Sequence, residues 1–160
     1  MRSFVLTLAG AAVVAAPALS AQSLAFAEWG FLVTFPGESN QRISELRDRS
    51  ILLVASPDNT YAITVARYRA PITDPSGMLD FMTGPDTGQT VVSSQPLTLP
   101  GAVGREVVLK RTSSSIDMSS GFELRRVFVR GNIVYRVTAL YPDEGAAAPA
   151  RAFATSFTLQ

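Results

Sequence analysis

Histidine and cysteine are absent from this chain of 160 residues. Their absence excludes Ser-His-Asp and Cys-His nucleophile systems and the usual zinc and copper sites, whose ligands are imidazole and thiolate. Without cysteine there are no disulfides, so stability has to come from an apolar core, and no thiol is available for lipid attachment. Lysine is nearly missing too: Lys110 is the only one among 14 basic side chains. A Ser-Lys dyad would have to pair Lys110 with Ser113, Ser114 or Ser115, which follow it with no supporting motif. The carboxylates are thinly spread, and no DxDxDG-like run offers calcium its several close oxygens, so no metal or cofactor is expected. "GAVG" lacks a third glycine, a following Lys-Ser/Thr and a following helix, so it reads as a turn and not as a phosphate cradle.

The N-terminus carries a clear signal. Arg2 gives a short positive start, residues 4–16 are an unbroken apolar and small-residue run, Pro17 breaks it, and "ALSAQ" offers small residues for cleavage near Ala21. The run is too short for a spanning helix, which needs about 20 apolar residues. The expectation is a signal peptide over residues 1–21 and one domain over residues 22–160, periplasmic or secreted, with no membrane anchor after cleavage. Without Arg2 the basic and acidic side chains balance at 13 each. A neutral chain gives no electrostatic reason to expect nucleic acid.

Residues 27–35 alternate, with Ala27, Trp29, Phe31, Val33 and Phe35 on one parity, and read as one strand stopped by Pro36-Gly37. Residues 40–47 are mostly polar, as in an edge strand. "SILLVAS" and "YAITVARY" form a hairpin about the turn cluster Ser56-Pro57-Asp58-Asn59. A helix is expected between Asp74, its cap, and Gly84, its stop, with Pro75 in the first turn and Met78, Leu79 and Met82 as its apolar stripe. "TVVSSQPLTLP" and "REVVLKRT" flank a turn over residues 101–104, and residues 113–121 form a polar loop of the kind that often carries binding residues. Gly131-Asn132 closes a last hairpin that sets Arg130 opposite Ile133, Phe128 opposite Tyr135, Arg126 opposite Val137 and Leu124 opposite Ala139. A C-terminal helix follows, with Pro149 in its first turn and Phe153 and Phe157 on one side.

Sequential strands with one helix in the middle and one at the end describe an α+β domain: an antiparallel sheet of about six to eight strands with flanking helices. "FLVTFPGES", "GAVGREVVL", "RVFVRGNIVYRVTALYP" and "FATSFTL" together resemble PsbP/Mog1-like domains over residues 24–159. The resemblance implies an antiparallel sheet sandwiched between helices and a non-enzymatic domain that binds partners; family members act in photosystem assembly and in binding a small GTPase. It carries no site residue onto this chain.

Arg125 and Arg136 are the candidate binding residues. They fall as diagonal neighbours on the open side of the last hairpin, where they would hold an anion or a partner's carboxylate, or simply sit solvated beside local acids. Arg126 falls on the packed side and needs a carboxylate, with Glu28, Glu106 and Asp117 as candidates. "DTG" at Asp86 matches the aspartic-protease triplet but follows a helix stop and reads better as a turn; Asp74 and Asp80 read better as a cap and a solvent-side residue than as an acid/base pair. The expected function is that of an exported partner-binding or assembly module of the cell envelope, with another envelope protein as partner. The alternatives are a carrier holding a small apolar ligand or lipid beside Met78 and Met82, and an Asp86-dependent hydrolase.

Overall fold

A computed structural model describes residues 21–112 and 120–160. The proposed signal peptide therefore lies outside the described residues except at its last position, as do residues 113–119 of the polar loop. Among the described residues, no helix is long and apolar enough to cross a membrane.

The expected single strand over residues 27–35 is instead two strands. β1 (Gln22–Phe26) and β2 (Phe31–Phe35) pair antiparallel, and a 3-10 turn, Ala27–Trp29, lies between them. The cause is Gly30, whose φ of 71° is left-handed and lets the chain reverse where any side chain would strain it. The parity survives for Trp29, Phe31, Val33 and Phe35, all buried, but not for Ala27, which is exposed in the 3-10 turn.

The larger sheet has seven strands in the order β3-β4-β5-β9-β8-β7-β6. β3 (Asn40–Glu45) is one edge, as its polar composition anticipates, and the hairpin β4 (Arg49–Ala55) and β5 (Tyr61–Tyr68) pairs with it. β6 (Gln89–Leu99) and β7 (Ala102–Arg111) turn at Pro100-Gly101, not over residues 101–104. Gly104 belongs to β7, where its missing side chain admits the Phe128 ring: a Cβ there would sit 2.5 Å from that ring. β8 (Gly121–Arg130) and β9 (Ile133–Tyr141) close at Gly131-Asn132 in the expected register, Phe128 opposite Tyr135 and Arg126 opposite Val137.

One face of this sheet packs against the smaller sheet, in which β10 (Thr158–Leu159) joins β2, and against α2 (Ala147–Ser156). Phe157 lies just past the end of α2 in extended backbone, so it shares the core with Phe153 through the chain's turn and not through helical spacing. Its ring sits 5.4, 5.6 and 5.7 Å from those of Phe31, Phe128 and Tyr135. The Tyr135 hydroxyl donates to the Trp29 carbonyl at 3.0 Å, a polar tie across the core.

The opposite face receives α1 (Pro75–Thr83). The Asp74 carboxylate accepts from the Gly77 amide at 2.8 Å, as a cap should. Replacing Asp74 with alanine is expected to cost about 1 kcal/mol in urea unfolding, leaving the fold intact. Leu79, with Met78 and Met82, packs on Val127, Val129 and Val134.

Candidate functional site

Cross-strand partners share a face, so the registers define rows running across the sheet. On the α1 side one row runs Arg42, Leu53, Thr64, Arg136, Val127, Arg105 from β3 to β7. A second runs Asn40, Ala55, Ala62, Thr138, Arg125, Val107. Arg125 and Arg136 are thus diagonal neighbours on one face, as their spacing implies.

That face is not open at Arg125. The side chain of Arg125 is only 2% exposed, because α1 and the segment after it close over it. Each arm of its guanidinium is engaged: Nε donates to Glu123 at 2.7 Å, Nη1 to the Met82 and Gly84 carbonyls at 3.2 and 2.9 Å, and Nη2 to Asp86 at 3.2 Å. Met82 and Gly84 stand at the C-terminal end of α1, where carbonyls lack helical partners, so Arg125 satisfies them and fixes that end to the sheet. The solvated reading of Arg125 fails because the helix lands there; its role is structural. Asp86 remains largely exposed as the outer counter-ion of Arg125, in a turn closed by Gln89 N–H donating to its carbonyl at 3.0 Å.

Glu123 is the buried hub, 5% exposed. Beyond Arg125 it accepts from Gln89 Nε2 at 3.0 Å and, more distantly, from Arg136 Nη2 at 3.4 Å. Arg136 is therefore the unsettled member. Its side chain is 32% exposed and its Nε is buried without a hydrogen-bond partner among the described residues. Burial, and next the positive charge of Arg125, pull its pKa below the ordinary arginine value, against the opposing pull of Glu123.

Arg126, on the core side, finds Glu106, one of its three candidate partners: Nε donates to Glu106 at 2.7 Å and Nη1 to the Ala154 carbonyl at 3.0 Å. Gln95 adds a donor to Glu106 at 2.8 Å. Asp80 is exposed but reaches the Arg105 guanidinium, tying α1 to the sheet. Among the described residues no group of three acidic side chains gathers as a metal site.

Away from this face, the β4–β5 turn is held by Asp58, which accepts from Ser56 Oγ at 2.6 Å, Thr60 Oγ1 at 2.7 Å and the Thr60 amide at 3.0 Å. The Ser56 hydroxyl first, then Thr60, lower its pKa from 3.8 to about 2. Because the folded value lies below the unfolded one, the turn's contribution to stability is full above 3.8 and lost as pH falls through about 2. An Asp58→Asn variant is expected to flatten that part of the acid limb in urea midpoints taken between these two pH values.

What the first α1 contacts leave is a half-covered face. A seven-stranded sheet is about 29 Å across its strand axes, whereas a helix with side chains is about 10 Å wide and covers roughly two strands. Here α1 packs on β7 and β8, and Val134 is the β9 residue in its apolar cluster. Over β3, β4, β5 and the rest of β9 no described helix packs on this face to more than a marginal extent, and Leu53 is 37% exposed there. Arg136 stands at the boundary between the covered and uncovered halves.

No family model matches the sequence, and no curated protein matches it. Among solved structures the chain is similar to cyanobacterial PsbP (CyanoP) from Synechocystis sp. PCC 6803, with a TM-score of 0.55 and 11% identity, over 96% of this chain and 99% of that one. The fold is PsbP-like and α+β, as the strand pattern indicated.

Proposed function

We propose that the protein is an exported, non-enzymatic module that binds a partner protein of the cell envelope through the uncovered half of its large sheet. Arg136 carries this reading: a half-buried guanidinium, held from one side by a buried carboxylate already engaged by Arg125, borders a face on which no described helix packs to more than a marginal extent. The N-terminal pattern of positive start, apolar run and small residues supports export. The acidic residue closest to a catalytic motif, Asp86, serves as a counter-ion to Arg125, which favours binding over hydrolysis.

The test is the native mass of the protein isolated from its own envelope fraction, for the parent chain and for Arg136→Ala. A protein complex that the substitution weakens is the expected result. Turnover of a substrate abolished by Asp86→Asn would replace the binding reading with the hydrolytic one.

One observation favours the carrier as a second reading. A cleft of about 430 Å³ lies between α1 and the segment after β5, lined by Tyr68, Pro71, Ile72, Met78 and Phe81, and Phe81 is 81% exposed. Only Met78 of the two methionines lines it; Met82 packs on the buried valines. A lipid mass retained in the native spectrum would select this reading.

A further inference from the structure

The covered half of the face displays how this sheet receives a helix. The apolar stripe of α1, Met78, Leu79 and Met82, rests on Val127, Val129 and Val134. At its flank a carboxylate of the helix, Asp80, pairs with Arg105 of the sheet. Arg105 lies on the same cross-strand row that holds Arg136 and Arg42.

The uncovered half repeats the arrangement without the helix. Between Arg42 and Arg136 the row presents Leu53 and Thr64, and the neighbouring positions are Ile51, Ala66, Ala62 and Thr138. Three strand spacings put the two arginine backbones about 14 Å apart, enough for one helix between them. On this face β3, β4, β5 and β9 contribute Arg42, Arg49 and Arg136 and no acidic residue. Arg49 and Arg136 each bury an Nε with no hydrogen-bond partner among the described residues. Arg49 is otherwise engaged with the Tyr68 hydroxyl at 3.2 Å and Asp48 at 3.7 Å, whereas Arg42 is exposed and has no ion pair among the described residues.

We propose that the β3-β4-β5-β9 half of this face is the seat of an amphipathic helix from a partner protein, its apolar stripe on Leu53 and Thr64 and its flanking carboxylates on Arg42 and Arg136. The inference rests on the partner-binding reading and gives the partner its chemistry. An acidic helix fits better than a basic one because the strand positions of the uncovered half carry three arginines and no acidic side chain, Asp48 and Glu123 standing only at its margins. It fits better than a flat anionic membrane because Arg42 and Arg136 stand on either side of a strip of small and apolar side chains interrupted by Thr64 and Thr138, matching a narrow ligand and not a plane.

The probes are a synthetic peptide with a leucine stripe flanked by glutamates, its lysine-flanked counterpart, and vesicles containing phosphatidylglycerol, each added to the isotope-labelled protein. The glutamate peptide is expected to shift the amides of Arg42, Leu53, Thr64 and Arg136, and to bind about tenfold more weakly to Arg42→Ala and in high salt. Arg42 is exposed, so that variant folds; Leu53→Asp, also at an exposed position, is a second variant with the same expected loss. Equal binding of the lysine peptide, shifts confined to other strands, or binding to vesicles alone would overturn the proposal. A photo-crosslinker at Thr64, used in the source cell, separates failure of the acidic helix from failure of the partner-binding reading. Adducts that Arg42→Glu abolishes, together with no binding of the glutamate peptide, would overturn the acidic helix and leave the partner-binding reading standing. No adduct at all would overturn both.

Discussion

Glu123→Ala is expected to destabilise the fold by about 3–5 kcal/mol, because removing one member of a buried ion group leaves the others desolvated and uncompensated. Arg125, 2% exposed, would keep its contacts to the Met82 and Gly84 carbonyls and to Asp86 but lose its one buried counter-ion. Gln89 and Arg136 would lose their acceptor as well. The control is Asp86→Asn: Asp86 is 71% exposed, and pairs in water contribute at most about 1 kcal/mol. Urea unfolding of the two variants measures the difference directly. A Glu123 variant as mild as the Asp86 variant would mean that Arg125 is held by the helix-end carbonyls alone.

Phe157→Ala is the second large effect, an expected loss of about 3–5 kcal/mol. The ring is 4% exposed and stacks on Phe31 of the small sheet and Phe128 of the large one, so it is the joint at which the two sheets meet. Few neighbours can move to fill the space it leaves, since Phe31 is fully buried in its own strand and Phe128 is fitted against Gly104. Alongside the lower urea midpoint, near-ultraviolet circular dichroism should lose intensity as the Phe31 and Tyr135 rings gain freedom. Phe81→Ala, at 81% exposure, should change neither.

Patterns confined to one hairpin were legible in the sequence. The Gly131-Asn132 turn fixed every pair across β8 and β9, and Asp74, Pro75 and Gly84 fixed α1 to within a residue, because turns and caps are local chemistry. Which sheet face a distant helix covers is not local. Parity placed Arg125 and Arg136 together, but only the landing of α1 decides that one is buried and the other half-buried. A signal was present nonetheless: Val127 and Val129 share the parity of Arg125, and a face bearing two buried valines is not a solvent face. Gly30 likewise stood in plain view inside an alternating run, where a glycine marks a break in the strand. Glu106 was within reach as the partner of Arg126, since a guanidinium on a packed side needs a carboxylate.

Crosslinking in the source cell from two positions shows whether the uncovered half of the large sheet meets another protein. One crosslinker replaces Thr64, at the centre of the uncovered half; the other replaces Thr98 on β6, the far edge. A discrete protein adduct from Thr64 that Arg42→Glu abolishes, and none from Thr98, is the expected result. Adducts from Thr98 alone, or from neither position, would contradict it.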